Sequence, residues 1–274
     1  MSPRREVFFL GSGAERRLCL VSKPSGQALG SILYVPPFAE ELNRSRHMVA
    51  RGVQAFATLG WAVFQMDLHG CGDSEGDFGD ASWASWMDDL DRAYQWLTDQ
   101  GHGPVVMWSL RAGSLLASSW MQRRQVNLPL LAWQPVFNGQ QYLTQFLRIR
   151  LGADLGQSPQ SKNVLADLRA ALKSGEPVVV GGYWLSPELA HGLEASTFGL
   201  PADHRAPITV LEVAHTDPPE LTPATSNWLD KARAAGHVCQ GQACMGNKFW
   251  QSTEVETAMS LIAPSEAALK ACTT

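Results

Sequence analysis

Val105-Val106-Met107-Trp108-Ser109-Leu110-Arg111-Ala112-Gly113-Ser114 reads as a buried strand that turns sharply into a helix. Its turn carries the steric pattern of a nucleophile elbow: a small residue, any residue, the nucleophile, any residue, then Gly. Small neighbours are needed there because the turn packs helix against strand, and Ser109, Gly113 and Ser114 meet that need. Where a Ser, Cys or Asp would attack, this chain has Arg111. A guanidinium stays protonated and is not a nucleophile near neutral pH. The signal for shape and the signal for chemistry therefore disagree at one residue.

Working outward, strand-like and helix-like runs alternate. Glu6 to Leu10 and Leu18 to Ser22 predict an opening hairpin. Ser31 to Val35 predicts a short strand, and Arg44 to Leu59 a helix closed by Gly60. Ala62 to Met66 is the next strand. Trp83, Trp86, Leu90, Tyr94 and Leu97 share one helical face. Strand Pro104 to Trp108, helix Ala112 to Arg123 and strand Leu130 to Gln134 follow. After Gln134 the alternation breaks into helical pieces (Tyr142 to Leu151, Val164 to Leu172, Pro187 to Leu193) around Gly-rich joints. It resumes with strand Ile208 to Ala214, helix Pro223 to Ala235, strand Val238 to Met245 and a terminal helix from about Glu254. Repeated βα units make a mostly parallel sheet with helices on both faces. The expected architecture is an eight-stranded α/β core from 1–139 and 202–274, with a helical cap inserted at 140–201. In such sheets the ligand crevice lies at the carboxyl ends of the strands, where the elbow and its neighbouring loops fall.

Composition limits the function. The 274 residues suit one α/β domain with an insertion, and 45% hydrophobic with 18% charged residues suits a large core. A net charge of −4 without a basic, aromatic-interleaved cluster argues against nucleic acid as a partner. No segment is apolar enough to predict a membrane span. Five Cys without a Cys-x-x-Cys pair suit reduced thiols and a cytoplasmic setting. No metal-ligand spacing, phosphate loop or dinucleotide fingerprint is present, so no metal or cofactor is expected.

The strand-elbow-helix, the Asp67-x-x-Gly-x-Gly-x-Ser74 loop and the late insertion together resemble the α/β-hydrolase fold. Further motifs are similar to the exosortase A system-associated hydrolase 2 family. They are Tyr34-Val35-Pro36-Pro37-Phe38-Ala39-Glu40-Glu41-Leu42-Asn43-Arg44-Ser45-Arg46, Gly70 to Phe78, Trp133 to Gly139, Gln145-Phe146-Leu147-Arg148 and Phe249-Trp250-Gln251. The resemblance runs over nearly the whole chain. It implies a bacterial protein associated with exosortase and exopolysaccharide systems, and it makes an elbow Arg typical of that family.

On this fold the triad runs Ser, acid, His, with the His after the last strand. The corresponding stretch, Gly246 to Gln251, contains no His. Asp217 matches the acid position after the seventh strand of the core, or is a turn residue before Pro218-Pro219. His69 and His215 fall on crevice-side loops without the chain position of a triad base. Ser109, Ser114 and Cys71 are the substitute nucleophiles to weigh against plain packing or loop roles. Losing a nucleophile or a base costs on the order of a million-fold in turnover, so ordinary Ser-His-Asp hydrolysis is not expected. An oxyanion hole depends on backbone N–H groups, here of Phe38 or Ala39 and of Ala112, and survives any side-chain change.

A buried Arg must be matched by charge. An internal carboxylate (Glu40, Glu41, Asp67 or Asp217) would close a salt bridge. Alternatively a bound anion would take the guanidinium, and the two can combine. Phe38, Ala39, Glu40, Glu41, Ala112, Phe249 and Trp250 are the expected ligand-binding residues. Arg44, Arg46 and His47 also start a helix beside the crevice. Three functions follow: a triad-less protein binding a small anionic or acyl ligand, an ester or thioester hydrolase with a displaced nucleophile, or an interaction module whose insertion docks a protein partner.

Overall fold

In the computed structural model the described residues are 3–154 and 164–273, so part of the expected 140–201 insertion lies outside them. The chain opens with the antiparallel hairpin β1 (Arg4–Leu10) and β2 (Arg17–Lys23). Then come β3 (Gly30–Val35), α1 (Glu40–Leu59), β4 (Trp61–Met66), α2 (Trp83–Gln100), β5 (Val105–Leu110), α3 (Gly113–Arg124) and β6 (Leu130–Trp133). Between β6 and the next sheet strand lie α4 (Gly139–Asp154), α5 (Val164–Lys173), a small hairpin of β7 (Val178–Val180) and β8 (Tyr183–Leu185), and α6 (Pro187–Ala195). The chain finishes with β9 (Ile208–Ala214), α7 (Pro223–Ala234), β10 (Cys239–Met245) and α8 (Ile262–Lys270).

The main sheet has eight strands in the order β1-β2-β4-β3-β5-β6-β9-β10. From β4 to β10 every neighbouring pair is parallel. The central strands β3, β5 and β6 are buried throughout, as a sheet covered on both faces requires. Alternation along them sends Leu33, Val35 and Met107 into the layer beneath α2 and α3, while Ile32, Tyr34, Val106 and Trp108 face α1 and α8. Most of the abundant Trp serves this core. Trp61, Trp108 and Trp133 are fully buried, and a Cβ on Gly52 of α1 would meet the Trp108 ring at 2.7 Å. That glycine lets the helix lie flat on the indoles.

Three elements differ from the sequence reading. Helix α1 begins four residues before the predicted Arg44. Its first turn is mostly polar because it borders a crevice, so the buried face starts only at Ser45, Met48 and Val49. Helix α8 begins at Ile262 and not near Glu254. Pro264 explains this, since a proline is tolerated in a first turn but not inside a longer helix. The β7–β8 hairpin replaces a Gly-rich joint. Its turn is Gly181-Gly182, both at positive φ (58° and 86°), flanked by Val178-Val179-Val180 and Tyr183-Trp184-Leu185.

Candidate functional site

The elbow is formed. Arg111 sits between β5 and α3 with φ +53°, a left-handed conformation that is costly for a residue with a Cβ. Backbone bonds hold it there: Arg111 N donates to Trp133 O (3.0 Å), and Val136 N donates to Arg111 O (3.3 Å). A Cβ at Gly113 would collide with the carbonyls of Val35 and Pro36, so α3 meets the end of β3 backbone to backbone. Ala39, before α1, is also at positive φ (50°). Among the described residues the backbone N–H groups of Phe38, Ala39 and Ala112 find no acceptor. These are the groups expected to form an oxyanion hole.

Above the elbow lies a cavity of about 660 Å³. Glu40, Glu41 and Arg44 of α1, Arg111 of the elbow, Tyr142 and Phe146 of α4, Tyr183 of β8 and Trp250 all line it. Among the four candidate carboxylates, Glu41 is the one that meets Arg111. Arg111 Nε and Nη2 both donate to Glu41 Oε1, at 3.2 and 3.0 Å. The two side chains are 13% and 17% exposed. Tyr142 donates its hydroxyl to Glu41 Oε2 at 2.9 Å. The guanidinium lies 5.2 Å from the Trp250 ring and 5.7 Å from the Tyr142 ring, within cation–π range of both. Burial and the Glu41 carboxylate hold the Tyr142 phenol well above its ordinary value, so it remains a donor.

One residue earlier on α1 the pattern repeats. Arg44 Nε donates to Glu40 Oε1 (3.3 Å), Arg44 Nη1 to Gln251 O (2.5 Å), and the Tyr183 hydroxyl to Glu40 Oε2 (2.9 Å). Burial opposes ionisation of Glu40, but the bonds from Tyr183 and Arg44 outweigh it and lower its pKa. Burial and the Glu40 carboxylate push Tyr183 up to about 12. Each adjacent glutamate is thus bonded to one arginine and one tyrosine, and both tyrosines come from the segment between β6 and β9.

Other candidates lie elsewhere. Asp217 is exposed and lines none of this cavity. Phe249 and Trp250 are buried (1% and 2% exposed) where a triad His would stand, and of the two only Trp250 lines the cavity. Ser109 and Ser114 are fully buried and bond each other (Oγ to Oγ 2.9 Å), which is a packing role. Burial raises the Cys71 thiol to about 12, far from a reactive thiolate. His69 contacts Arg17 (2.8 Å), and Arg17 bonds the buried Asp89, a bracing network under the 70–78 loop. His215 is exposed, as are Arg46 and His47. Asp67 accepts from Asp73 N (3.1 Å), and any Cβ at Gly72 would strike its carboxylate, so it shapes its own loop.

Sequence reasoning missed Tyr142 and Tyr183. The Gly-Gly turn between β-branched and aromatic runs was a usable hairpin signal for the second. Nothing in the periodicity marks the first. Among the described residues there is no group of three or more His, Cys, Asp or Glu suited to a metal ion, and no helix is long and apolar enough to cross a membrane.

Known proteins place this geometry. No functionally curated protein shows a significant match. The chain is similar in structure to a lipase in an open form (TM-score 0.65, 15% identity, 99% of this chain and 100% of the other). It is also similar to the protein Est1E from Butyrivibrio proteoclasticus with ferulic acid bound (0.61, 12%, 97% of each). A third is a thermostable carboxyl esterase from Bacillus coagulans (0.61, 16%, 100% of each). At these identities the likeness establishes the fold. The family model described as Serine aminopeptidase, S33 matches residues 26–173, more than half of the sequence and including the elbow. The chain belongs to this family of α/β-hydrolase-fold proteins.

Proposed function

We propose that this protein is a triad-less member of its fold that binds a small anionic or acyl ligand in the Arg111 crevice. The observation that carries this reading is Arg111 itself. The elbow aims it into a 660 Å³ cavity, Glu41 holds one edge of the guanidinium, and Nη1 has no partner among the described residues. A buried guanidinium fixed on one edge and open on the other is a receptor for an acceptor group. The absence of His from 246–251 and the burial of Ser109 and Ser114 speak against triad hydrolysis.

The residues at 140–201 act as the cap of this crevice. The finer assignment, to the exosortase A system-associated hydrolase 2 family acting in the cytoplasm beside exosortase and exopolysaccharide systems, gains support from where its motifs fall. Three of the five, those around 38–44, 145–146 and 250–251, converge on the one cavity. That convergence is expected of a shared binding site and not of a shared scaffold. A protein partner docking on the cap remains compatible with this assignment.

A thermal-shift screen of carboxylates, phosphates and acyl esters against wild type and Arg111→Met tests the reading. Ligands that stabilise the wild type and lose their effect in the variant are expected. Stabilisation indifferent to Arg111 throughout, or acyl-ester turnover with covalent labelling of a Ser or Cys, overturns it.

A further inference from the structure

The cavity has a surplus of donors. All four carboxylate oxygens of Glu40 and Glu41 are occupied by Arg44, Tyr183, Arg111 and Tyr142. Two guanidinium nitrogens that line the same cavity, Arg111 Nη1 and Arg44 Nη2, have no partner among the described residues. The charged groups thus offer a ligand two free guanidinium donors, while every carboxylate oxygen already holds a donor. The two Arg and two Glu cancel in formal charge. The balance is tipped by the amino ends of α1 (20 residues) and α3 (12 residues), which both begin at this crevice and each carry partial positive charge.

Volume and lining define the rest of the ligand. About 660 Å³ is far more than an inorganic anion fills and is typical of a small organic ligand. Phe38, Phe146, Ile149 and Trp250 supply apolar wall in the same cavity, and Ile149 is half exposed at 51%.

Deepening the reading above and resting on it, we propose that the ligand is an amphiphilic anion. Its carboxylate or phosphate-monoester head bridges Arg111 and Arg44, and its hydrocarbon body lies along Phe146 and Ile149. Arg44 is then the second head-group contact. Glu40 tunes affinity by partly neutralising it.

Isothermal titration with decanoate, decyl phosphate and methyl decanoate, each below its aggregation limit, tests this. At least one anion is expected to bind about tenfold or more tighter than the neutral ester, with binding weakened by salt. The two anions tell a carboxylate head from a phosphate head. Arg44→Met is expected to weaken the anion by about tenfold, and Arg111→Met by more, as loss of a charge-assisted contact implies. Glu40→Gln keeps one acceptor oxygen, enough for Arg44, while removing a negative charge, and is expected to strengthen anion binding several-fold more than ester binding. A merely structural Glu40 would not produce that split. Arg44 and Glu40 lie at the partly exposed rim (30% and 47%), so these two variants keep the test open if Arg111→Met folds poorly. Ester binding equal to the anions, with Glu40→Gln silent, overturns the anionic assignment and leaves an acyl-binding crevice standing. No binding of any of the three overturns both.

Discussion

Arg111→Met isolates what the elbow arginine does for stability. The change keeps length and apolar contact but removes two charge-assisted bonds to Glu41, at 3.0 and 3.2 Å, and two aromatic contacts, at 5.2 and 5.7 Å. It leaves Glu41, 17% exposed, with Tyr142 as its remaining bond. Breaking a buried pair costs about 3–5 kcal/mol, because the surviving charge is stranded. This pair borders a cavity that water can enter, so screening removes roughly half of that. We expect a loss of about 1.5–2.5 kcal/mol, a fall in Tm of about 3–5 °C for a chain of this length. Met inherits the strained φ, so backbone relief does not offset the loss. The assay is urea unfolding of the wild type, Arg111→Met, Glu41→Gln and the double variant. The double variant should recover about 1–2 kcal/mol relative to the sum of the singles, since no charge is then stranded. Additive single losses, or a change below about 0.5 kcal/mol for Arg111→Met, would show that the pair is not coupled in the way the geometry implies.

Arg111→Ser restores the elbow nucleophile, yet no p-nitrophenyl acetate turnover above background is expected, because 246–251 offers no base; turnover that scales with enzyme would contradict this. Tyr142→Phe removes the one bond that Glu41 Oε2 accepts among the described residues and is expected to cost about 1–3 kcal/mol, read as a lower denaturation midpoint. Gly52→Ala drives a methyl into Trp108 and is expected to cost about 1–3 kcal/mol by overpacking, with a changed near-ultraviolet spectrum as the second readout. Stability also depends on pH. His204 is fully buried, its Nδ1 has no partner among the described residues, and burial lowers its pKa; His69 is lowered by burial and by Arg17. A folded value below the unfolded 6.5 means stability is complete above that pH and is lost as pH falls through and below it. Urea midpoints should therefore drop between pH 7.5 and 5.5, with a shallower slope in His204→Gln; equal slopes would refute the assignment.

Much of this was legible in the sequence because it is local. The elbow is ten contiguous residues whose small side chains are dictated by backbone contact at Gly113 and whose apolar run is dictated by burial on both faces. That 246–251 holds Phe249 and Trp250 and no His was equally visible, since the stretch is short and follows the last strand. What was not legible depends on chain segments meeting at a distance. Four carboxylates were plausible partners for Arg111, and only the path of α1 over the sheet brings Glu41 to it, 70 residues away in sequence. Asp217 satisfied the triad order, yet its loop leaves it exposed. Tyr142 looked like one more aromatic on an amphipathic helix, because docking of the insertion on the core leaves no trace in periodicity. The late start of α8 is legible in Pro264, which fits the first turn of a helix but not the interior of one that begins near Glu254.

The paired Glu–Tyr bonds have a mechanical consequence. A plate held by one pin can pivot, whereas two pins fix its orientation. Glu40 and Glu41 are adjacent on one helical turn, but they fasten tyrosines from two different elements, α4 and β8. The insertion is braced within itself by Arg169, which ties Glu194 (2.6 Å) to Thr144 (2.6 Å) across α4, α5 and α6. Rotation about either bond is therefore blocked by the other. Grafting a different insertion onto this sheet would have to deliver two phenols at matching reach. A graft with one would forgo half of this link and rest on the packing of α6 against α2 and the Ser186–Ala81 bond.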